Sequence, residues 1–321
     1  MRAGRNLTGL AAFAVLAATC PALLTNDYYL STMVMALLNA VVVVGLNLLL
    51  GFAGQISLGH AAFYGLGAYT SAILTATCGW PVCLGMLAGV IVAAAVAWVI
   101  GIPTLKLRGN YLAMATLGFG IIVYIVFNET IELTGGPSGF TDIPPLTVLG
   151  FEFASDLAWY WLMAGVLAGV VAVSLNLIDS KVGRALRAIH SSEKAAQTTS
   201  IDIARYKLFI FVLSGAFAGL AGVLYAHYLS FVAPSSFGFH FSVTLIVMVV
   251  LGGMASVWGA VAGAVFLTVL PEFLRAFENI ETIVYGSILI LCMIFLPDGL
   301  AGGAHRLWRL ATARARRGTD A

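Results

Sequence analysis

The stretch Gly51–Ala68, GFAGQISLGHAAFYGLGA, interrupts one of the longest apolar regions of the chain. Five glycines stand there beside four polar side chains, Gln55, Ser57, His60 and Tyr64. Glycine allows two helices to approach closely, and it also allows a chain to leave helical geometry. The stretch therefore marks a place where a helix either packs closely against a neighbour or stops.

Composition places this stretch in a membrane protein. Of the 321 residues, 61% are hydrophobic and 9% are charged, whereas soluble proteins average about 25% charged residues. Apolar runs such as Leu7–Leu24, Leu30–Leu50 and Leu84–Ile102 approach the length of about 20 residues with which a helix crosses hydrocarbon. They lack the alternation of an outer-membrane β-barrel. The sequence therefore predicts an all-α polytopic membrane protein.

The placement of charge predicts the orientation. Basic residues cluster in four places, Arg2/Arg5, Lys106/Arg108, Lys181 to Lys207 and Arg306 to Arg317. Acidic residues without basic neighbours fill Glu129 to Asp156, and others lie between Glu272 and Glu281. Because positively charged loops stay in the cytoplasm, we expect the basic clusters inside and the acidic stretches outside. Both termini are then cytoplasmic, and the number of spans is even.

These charges divide the chain into about ten transmembrane or re-entrant helical segments. They are Leu7–Leu24, Leu30–Leu50, Ala61–Thr77, Val82–Ile102, Tyr111–Phe127, Trp159–Ile178, Leu208–Leu229, two pieces of Phe241–Leu270 that meet at Gly252-Gly253, and Ile283–Phe295. Eight full spans with re-entrant pieces are the alternative. A secretory signal peptide is a second interpretation of the first apolar run, which is long for one. We expect one transmembrane domain over 1–321, with an external segment at 128–158 and a basic cytoplasmic tail at 303–321.

Within this frame, the glycine-rich stretch is interpreted as the lining of a solute pathway. Backbone that leaves helical geometry at membrane depth is tolerated only where it is buried in protein or lines a cavity. Gln55, Ser57 and His60 could then hydrogen-bond a small polar solute, and the predicted set is completed by Tyr64, Gly51, Gly54 and Gly59. The competing interpretation is that these side chains tie helices together and that His60 is a neutral, hydrogen-bonded core histidine.

A second glycine-interrupted stretch has a similar pattern. LLLGFAGQISLG, over 48–59, and VVLGGMASVWG, over 249–259, each place glycines and a small polar residue after an apolar run. Transporters often contain internal repeats whose interrupted helices meet at the substrate site. In a chain rich in Gly and Val, chance explains the similarity equally well.

The basic segment 181–207, KVGRALRAIHSSEKAAQTTSIDIARYK, predicts a cytoplasmic helix. Ala185, Leu186 and Ile189 recur at helical spacing while Arg184 and Arg187 lie elsewhere, which is typical of an amphipathic helix outside the hydrocarbon. The Ser and Glu of SSEK favour the start of a second helix. The segment is either a solvated positive loop or a helix that docks into a groove on a cytoplasmic partner, and its sustained helical pattern favours docking.

Several classes of function are excluded or disfavoured. The chain has no G-x-x-x-x-G-K-[ST] motif for binding ATP. No Asp or Glu lies near the middle of a predicted span, which counts against a proton- or sodium-driven carrier. Ser57 and His60 lack an acid to orient the imidazole, so we expect no enzyme. Nothing predicts a metal site or a cofactor.

Cys78 and Cys83, at an external turn, either form a disulfide or remain free.

Seven stretches in order carry a resemblance to a known family. They are GLNLLLGFAGQISLGHAAFYGLGAYTSAIL, RGNYLAMATLGFG, LTGGPSGF, GRALRAIHSSEKAA, RYKLFIFVLSGAFAGLAGVLYAHY, MVVLGGMASVWGAVAGA and YGSILILCMIFLPDGL. Over about 30–302 the sequence resembles the LivM-type permease subunits of bacterial ABC importers for branched-chain amino acids. The resemblance implies an ABC importer permease fold in the bacterial inner membrane.

The resemblance also implies partners and the sites that meet them. A second, related permease, two ATP-binding cassette subunits and a periplasmic substrate-binding protein would complete the importer, with lipid around it and no nucleic acid. The segment from Gly183 to about Ile201 would be seated on an ATPase subunit, through Gly183, Arg184, Arg187, Ala188, Glu193, Ala195 and Ala196. The external loop LTGGPSGF, with Thr134, Gly135, Gly136 and Gly139, would form the outer gate or contact the binding protein.

Two points are left open by the resemblance. Ser200 stands where the family commonly has a glycine, so the coupling segment could end differently here. Urea and short-chain amide permeases share much of the pattern, and nothing in Gln55, Ser57 or His60 separates leucine from urea. A urea or amide ABC permease is therefore the alternative, followed by an ion-coupled secondary transporter.

Overall fold

The structure is a computed structural model. It describes residues 2–23, 26–107, 109–148, 151–198, 201–274 and single positions or short groups between 284 and 303. The predicted helix Ile283–Phe295 lies mostly outside the described residues. Ser200 and the predicted tail beyond position 303 lie outside them as well.

The described chain is almost entirely helical. Its helices are α1 (Arg2–Leu23), α2 (Asp27–Asn47), α3 (His60–Ala76), α4 (Val82–Thr104), α5 (Asn110–Glu129), α6 (Ile131–Thr134), α7 (Asp156–Asp179), α8 (Lys181–Ser191), α9 (Glu193–Thr198), α10 (Ile203–Leu229), α11 (Phe239–Gly252) and α12 (Val257–Leu274). A π-helical turn, Leu48–Phe52, continues α2, and 3₁₀ turns lie at Gly136–Ser138 and Pro234–Phe237. A short antiparallel hairpin pairs β1 (Thr147–Val148) with β2 (Phe151–Glu152).

Among the described residues, six helices are long and apolar enough to cross a membrane. They are Asp27–Phe52, Val82–Thr104, Asn110–Glu129, Asp156–Asp179, Ile203–Leu229 and Val257–Leu274. Two shorter apolar helices, Gly9–Pro21 and Phe239–Gly252, accompany them. The polytopic all-α class is confirmed, but the count of ten segments is not. The predicted cut at Gly252-Gly253 is confirmed, because α11 ends at Gly252 and α12 begins at Val257.

Polar side chains fix the starts of several helices. Asn26 precedes α2 and accepts a hydrogen bond from the backbone N of Tyr28 at 3.1 Å. Ser155 accepts from the N of Ala158 before α7, and Asp202 accepts from the N of Arg205 before α10. Each cap satisfies one of the backbone donors that a helix start leaves without a helical acceptor.

The centre of the bundle is α2, with α7, α10, α11 and α12 packed around it. Helices α3, α4 and α10 pack through glycines. A Cβ atom built on Gly67 of α3 would lie 2.4 Å from the carbonyl oxygen of Gly219 on α10. One built on Gly222 would lie 1.9 Å from the carbonyl oxygen of Tyr64. These backbones are therefore in direct contact, as is typical of membrane helices that associate through small residues.

The two cysteines of the turn between α3 and α4 are not bonded to each other in the structure. Cys78 and Cys83 are both free and exposed. The turn between α3 and α4 is held instead by backbone bonds, including one from the N of Trp80 to the carbonyl oxygen of Leu74 at 3.1 Å.

Candidate functional site

The stretch Gly51–Ala68 contains a break between two helices. After the π-helical turn Leu48–Phe52, the chain leaves helical geometry and α3 begins only at His60. We call residues 54–59 the break. Gly54 has a φ of +67°, a backbone conformation that glycine adopts readily and other residues do not. A π-helical turn inserts one extra residue into a helix and often marks a functional site.

Gln55 lies at the centre of the break and is 3% exposed. Neither its Nε2 nor its Oε1 has a hydrogen-bond partner among the described residues. Its chain neighbours Gly54 and Ile56 are both exposed, so the break reaches the surface while the amide points inward. Leaving a buried polar group without a partner costs about 1–3 kcal/mol. Gln55 therefore offers one donor group and one acceptor group that the described chain does not use.

His60 is fully buried and fully hydrogen-bonded. Its Nδ1 and the Oγ of Ser57 are 3.1 Å apart, and its Nε2 and the Oγ of Ser214 on α10 are 2.7 Å apart. A hydroxyl both donates and accepts, so a neutral imidazole is satisfied by these two partners in either tautomer. These contacts agree with the interpretation that His60 is a neutral core histidine that ties helices together, because it joins the break to α10.

Tyr64 lies one turn further along α3, in an aromatic cluster. Its ring centroid is 5.4 Å from that of Tyr225, 5.6 Å from that of Phe237 and 5.3 Å from that of Phe241. Such separations are typical of offset or edge-to-face aromatic packing. Tyr64 is therefore packed between α10 and α11 and is separate from the hydrogen bonds of His60.

The π-helical turn before the break meets the second glycine-interrupted stretch directly. A Cβ atom on Gly51 would lie 2.3 Å from the backbone N of Ala255, in the turn between α11 and α12. Asn47 holds this contact from both sides. Its Nδ2 donates to the carbonyl oxygen of Ser256 at 2.8 Å, and its Oδ1 accepts from the N of Ala255 at 3.0 Å. The two stretches with a similar pattern thus touch through one buried amide.

Sequence reasoning missed Asn47 as a functional candidate. The signal was present, because it is the one polar side chain in the apolar run 40–50. Gly59, at the other end of the break, is also closely packed: a Cβ atom there would lie 2.7 Å from the carbonyl oxygen of Thr116 on α5. The hydroxyl of Thr116 accepts from the backbone N of Leu58 at 3.0 Å. Helix α5 therefore holds the end of the break, while the turn after α11 holds the π-helical turn before it.

The predicted amphipathic helix is α8. Ser180 caps its start, where its Oγ accepts from the N of Val182 at 3.1 Å. Gly183 lies directly on the end of α7, since a Cβ atom there would be 2.1 Å from the carbonyl oxygen of Ile178. The apolar residues Ala185, Leu186 and Ile189 are buried, whereas Arg184 and Arg187 are exposed and Ala188 is half-buried. The predicted division of the helix into two faces is confirmed.

The second predicted helix start is also present. The Oγ of Ser192 accepts from the N of Ala195 at 3.3 Å, at the start of α9. Glu193 forms an ion pair with Lys207, whose side chain is 6% exposed. Ala196 is buried and Ala195 is exposed. The ion pair attaches α9 to the first turns of α10.

The loop LTGGPSGF, predicted to be external, contains the end of α6 and a 3₁₀ turn. Thr134 lies at its centre, where its Oγ1 donates to the carbonyl oxygen of Phe127 at 2.6 Å and accepts from the N of Gly136 at 3.2 Å. Gly135 and Gly139 approach closely, because a Cβ atom on Gly135 would lie 2.1 Å from the carbonyl oxygen of Gly139. The loop thus folds tightly on itself.

The same loop is attached to the end of α10. Phe140 and Val232 exchange two backbone hydrogen bonds, at 2.7 and 3.0 Å. Beside this attachment lies an open surface pocket of about 370 Å³. Its lining includes Glu132, Asp142 and Thr77 at the end of α3. Two of the predicted outer-gate residues, Gly135 and Gly139, therefore line an acidic depression at one end of α3.

His227 was not singled out from the sequence. It is buried near the end of α10, and its Nδ1 donates to the carbonyl oxygen of Pro144 at 2.8 Å. Its Nε2 lies 2.7 Å from the Oγ of Ser71 on α3. The ring attaches the external segment to the helix bundle. No sequence signal distinguished it from an ordinary histidine at a helix end.

The structure brings some predicted sites together and keeps others apart. The break lies beside α8, because a Cβ atom on Gly54 would be 2.9 Å from Nδ1 of His190. The external loop lies at the opposite end of α3, next to Ala76 and Thr77. Helix α3, which carries His60 at its start, therefore connects the end of the bundle near α8 with the end near the loop.

Comparisons with known proteins agree with this architecture. The family described as branched-chain amino acid transport system / permease component matches residues 28–296. The high-affinity branched-chain amino acid transport system permease protein LivM of Escherichia coli (strain K12) is 36% identical over 91% of this chain and 74% of that protein. LivM of Salmonella typhimurium is 35% identical over 88% and 72%.

More distant relatives carry the name of a second permease. The LivH protein of the same Escherichia coli strain is 26% identical over 82% of this chain and 91% of that protein. No solved structure matches the chain. The family match extends from the start of α2 past α12, and so it includes the break, α8 and the external loop. This chain is a multi-pass membrane protein and belongs to the family of branched-chain amino acid transport permease components.

Proposed function

We propose that this chain is a permease subunit of an ATP-driven ABC importer that moves branched-chain amino acids across the bacterial inner membrane. The observation that carries the proposal is the buried amide of Gln55, which has no hydrogen-bond partner in the described part of the chain and lies in a helix break. The family and the identity to LivM proteins support the choice of substrate.

The break is the polar element of the solute pathway in this proposal. Gln55 supplies a donor and an acceptor to the passing solute. Ser57 is hydrogen-bonded to His60, which is hydrogen-bonded in turn to Ser214, and this chain of bonds holds the break against α10. Tyr64, Gly51, Gly54 and Gly59 belong to the same element, through their packing around the break. In the structure the amide of Gln55 is buried, so solute reaches it only after the break moves.

Helices α8 and α9 form the coupling element. Their apolar face is used inside the chain, which leaves an outer face that carries Lys181, Arg184 and Arg187. This face docks into the groove of an ATP-binding cassette subunit, with Gly183, Ala188, Glu193, Ala195 and Ala196 shaping the helix pair. Because α8 lies beside the break, ATP-driven movement of the subunit reaches the pathway over a short distance.

The external loop faces the substrate-binding protein. Thr134, Gly135, Gly136 and Gly139 give it a compact shape, and Glu132 and Asp142 make the adjacent pocket acidic. With the loop outside, α8, both termini and the tail 303–321 are cytoplasmic. A second permease completes the membrane unit, two ATPase subunits bind beneath it, and the full chain forms one domain with ten segments.

Urea or a short-chain amide is the second candidate substrate. An amide group pairs with the carboxamide of Gln55 through one donor and one acceptor, without any charged partner. An amino acid would need further donors for its carboxylate, such as the backbone N–H groups at the start of α3. This chemistry makes the two substrate classes separable by direct measurement.

The experiment is ATP hydrolysis by the complex reconstituted from this chain, its partner permease, the ATPase subunits and the binding protein. Leucine, isoleucine, valine, urea and acetamide are each presented on the binding protein. Stimulation by the three amino acids supports the proposal, and stimulation by urea or acetamide alone would replace the substrate. Uptake by this chain alone, driven by an ion gradient, would replace the proposal with a secondary carrier.

A single substitution tests the pathway element. We expect Gln55→Leu to abolish leucine uptake while the complex still assembles, because leucine has a similar volume but offers no hydrogen bond. The matched control is Ser174→Ala on α7, where a buried hydroxyl also has no partner among the described residues. Full uptake by the Gln55→Leu complex would remove Gln55 from the pathway.

A further inference from the structure

We infer that His190 is the positioning residue through which movement of α8 is transmitted to the break, and this inference rests on the proposed function. The ring of His190 lies against Gly54, with Nδ1 2.9 Å from the position of a Cβ atom on that glycine. His190 is the last residue but one of α8 and is otherwise exposed. Its place at the junction of α8 and the break is the observation that carries the inference.

Helix α8 also contacts the π-helical turn, but several of its other contacts are with continuous helices. Gly183 lies on the carbonyl oxygen of Ile178 at the end of α7, and Arg187 donates to the same oxygen at 3.1 Å. The ion pair of Glu193 and Lys207 attaches the adjoining α9 to α10. Helices α7 and α10 are continuous over 24 and 27 residues. At these contacts α8 can be displaced only if α7 or α10 moves with it as a whole helix.

The break is the compliant element that α8 touches. Residues 54–59 are not helical, and a bond from the N of Gln55 to the carbonyl oxygen of Leu49, at 3.1 Å, ties them to the preceding turn. Outside a helix the φ and ψ angles change at lower cost than within one. Gly54 has the left-handed conformation and no side chain, so pressure from the His190 ring acts directly on its backbone. A push on α8 is therefore absorbed mainly by the break.

The displaced residue is the chain neighbour of the unpaired amide. Rotation of the backbone at Gly54 turns the peptide that leads into Gln55, whose buried side chain has no partner in the described part of the chain. Before the break, Asn47 ties the end of α2 to the turn after α11, and at the end of the break the N of Leu58 donates to Thr116 on α5. The break thus lies between fixed contacts and is driven at His190, which gives α8 control over where the amide of Gln55 points.

The test is a double-mutant cycle of Gly54→Ala and His190→Ala in the reconstituted complex. The readout is leucine transported per ATP hydrolysed, together with the stimulation of hydrolysis by the loaded binding protein. Gly79→Ala is the matched control, because Gly79 has the same φ of +67° but has no described atom within 4 Å of its Cβ position. Ser191→Ala controls for a change at the end of α8.

We expect His190→Ala to lower the transport ratio by about fivefold or more, in the range of coupling between two sites. Gly54→Ala lowers it further than Gly79→Ala, and removing the ring in the double variant recovers part of that difference. The inference is overturned if the two effects are additive, or if His190→Ala transports as well as Ser191→Ala. A wild-type complex that no amino acid stimulates would instead overturn the proposed function and this inference with it.

Discussion

Helices α2 and α4 are almost equally apolar, yet they occupy opposite positions in the bundle. In the span that contains α2, 83% of the most apolar window is buried inside the chain, whereas the figure for α4 is 22%. Helix α2 packs on all sides through bulky residues such as Val42, Val43 and Val44. Hydropathy therefore identifies both as spans without distinguishing the centre of the protein from its edge.

Small residues explain how α4 is attached. Its buried positions after Val82 are spaced by four residues, at Gly85, Gly89, Ala93, Ala97 and Gly101. This spacing places them in one row along the helix, and the row fits against the glycines of α3 and α10. The remaining faces of α4 carry large apolar side chains that are exposed on the isolated chain. Helix α2 is thus positioned by bulky side chains that pack on all its sides, whereas α4 is attached through one row of small residues.

The largest effect is expected from enlarging the close contact of α4. In Gly89→Leu, the Cβ atom alone would lie 2.7 Å from the carbonyl oxygen of Gly67 and 2.5 Å from Val223. Backbone cannot move aside as a side chain can. We therefore expect a destabilisation larger than the about 1–3 kcal/mol of ordinary overpacking, and little folded chain in the membrane. Gly165→Leu on α7, which has no described atom near its Cβ position, should fold normally. The yield of monodisperse chain in detergent measures both.

A smaller effect is expected from removing volume, and it separates the two helices. Leu46 of α2 is fully buried, whereas Leu87 of α4 is 57% exposed. We expect Leu46→Ala to lower stability by about 2–5 kcal/mol, mostly through the cavity and lost dispersion contacts. Leu87→Ala should fall within about 0.5 kcal/mol of wild type. Equal losses of melting temperature in the two variants would mean that α2 is not the centre of the bundle.

The smallest effect on stability is expected at the end of α2, where function should suffer more. Asn47→Leu leaves the N of Ala255 and the carbonyl oxygen of Ser256 without this partner, a loss of about 1–3 kcal/mol. We expect leucine uptake to fall much more than the amount of assembled complex. Asn39→Leu is the control, since it removes one bond, to the hydroxyl of Thr268. Proportional losses of uptake and assembly in Asn47→Leu would reduce the amide to a structural role.

Local features of this fold were predictable from sequence. The break, the division of Phe241–Leu270 at Gly252 and the two faces of α8 follow from glycines, capping residues and helical spacing near each other in the chain. These signals act over one or two turns. They are strong because a glycine or a polar residue is uncommon in an apolar helix unless the local structure requires it.

Long-range pairings were not predictable. His60 and Ser214 are 154 residues apart, and Asn47 is 209 residues from Ser256. A hydroxyl or an amide in an apolar run indicates that a partner exists, but many partners along the chain fit equally well. For the same reason the sequence could not decide whether His60 faces solute or a neighbouring helix. The burial of α2 was hidden too, because lipid and protein interior select the same apolar residues.

The central claim is that the buried break around Gln55 opens during transport while the surrounding bundle stays packed. Labelling of Gln55→Cys in an otherwise cysteine-free complex, with a small membrane-impermeant thiol reagent, tests it most directly. The account predicts labelling in one nucleotide state and protection in the other, while Ser174→Cys stays protected throughout. Protection of Gln55→Cys in every state of a complex that transports leucine would contradict it.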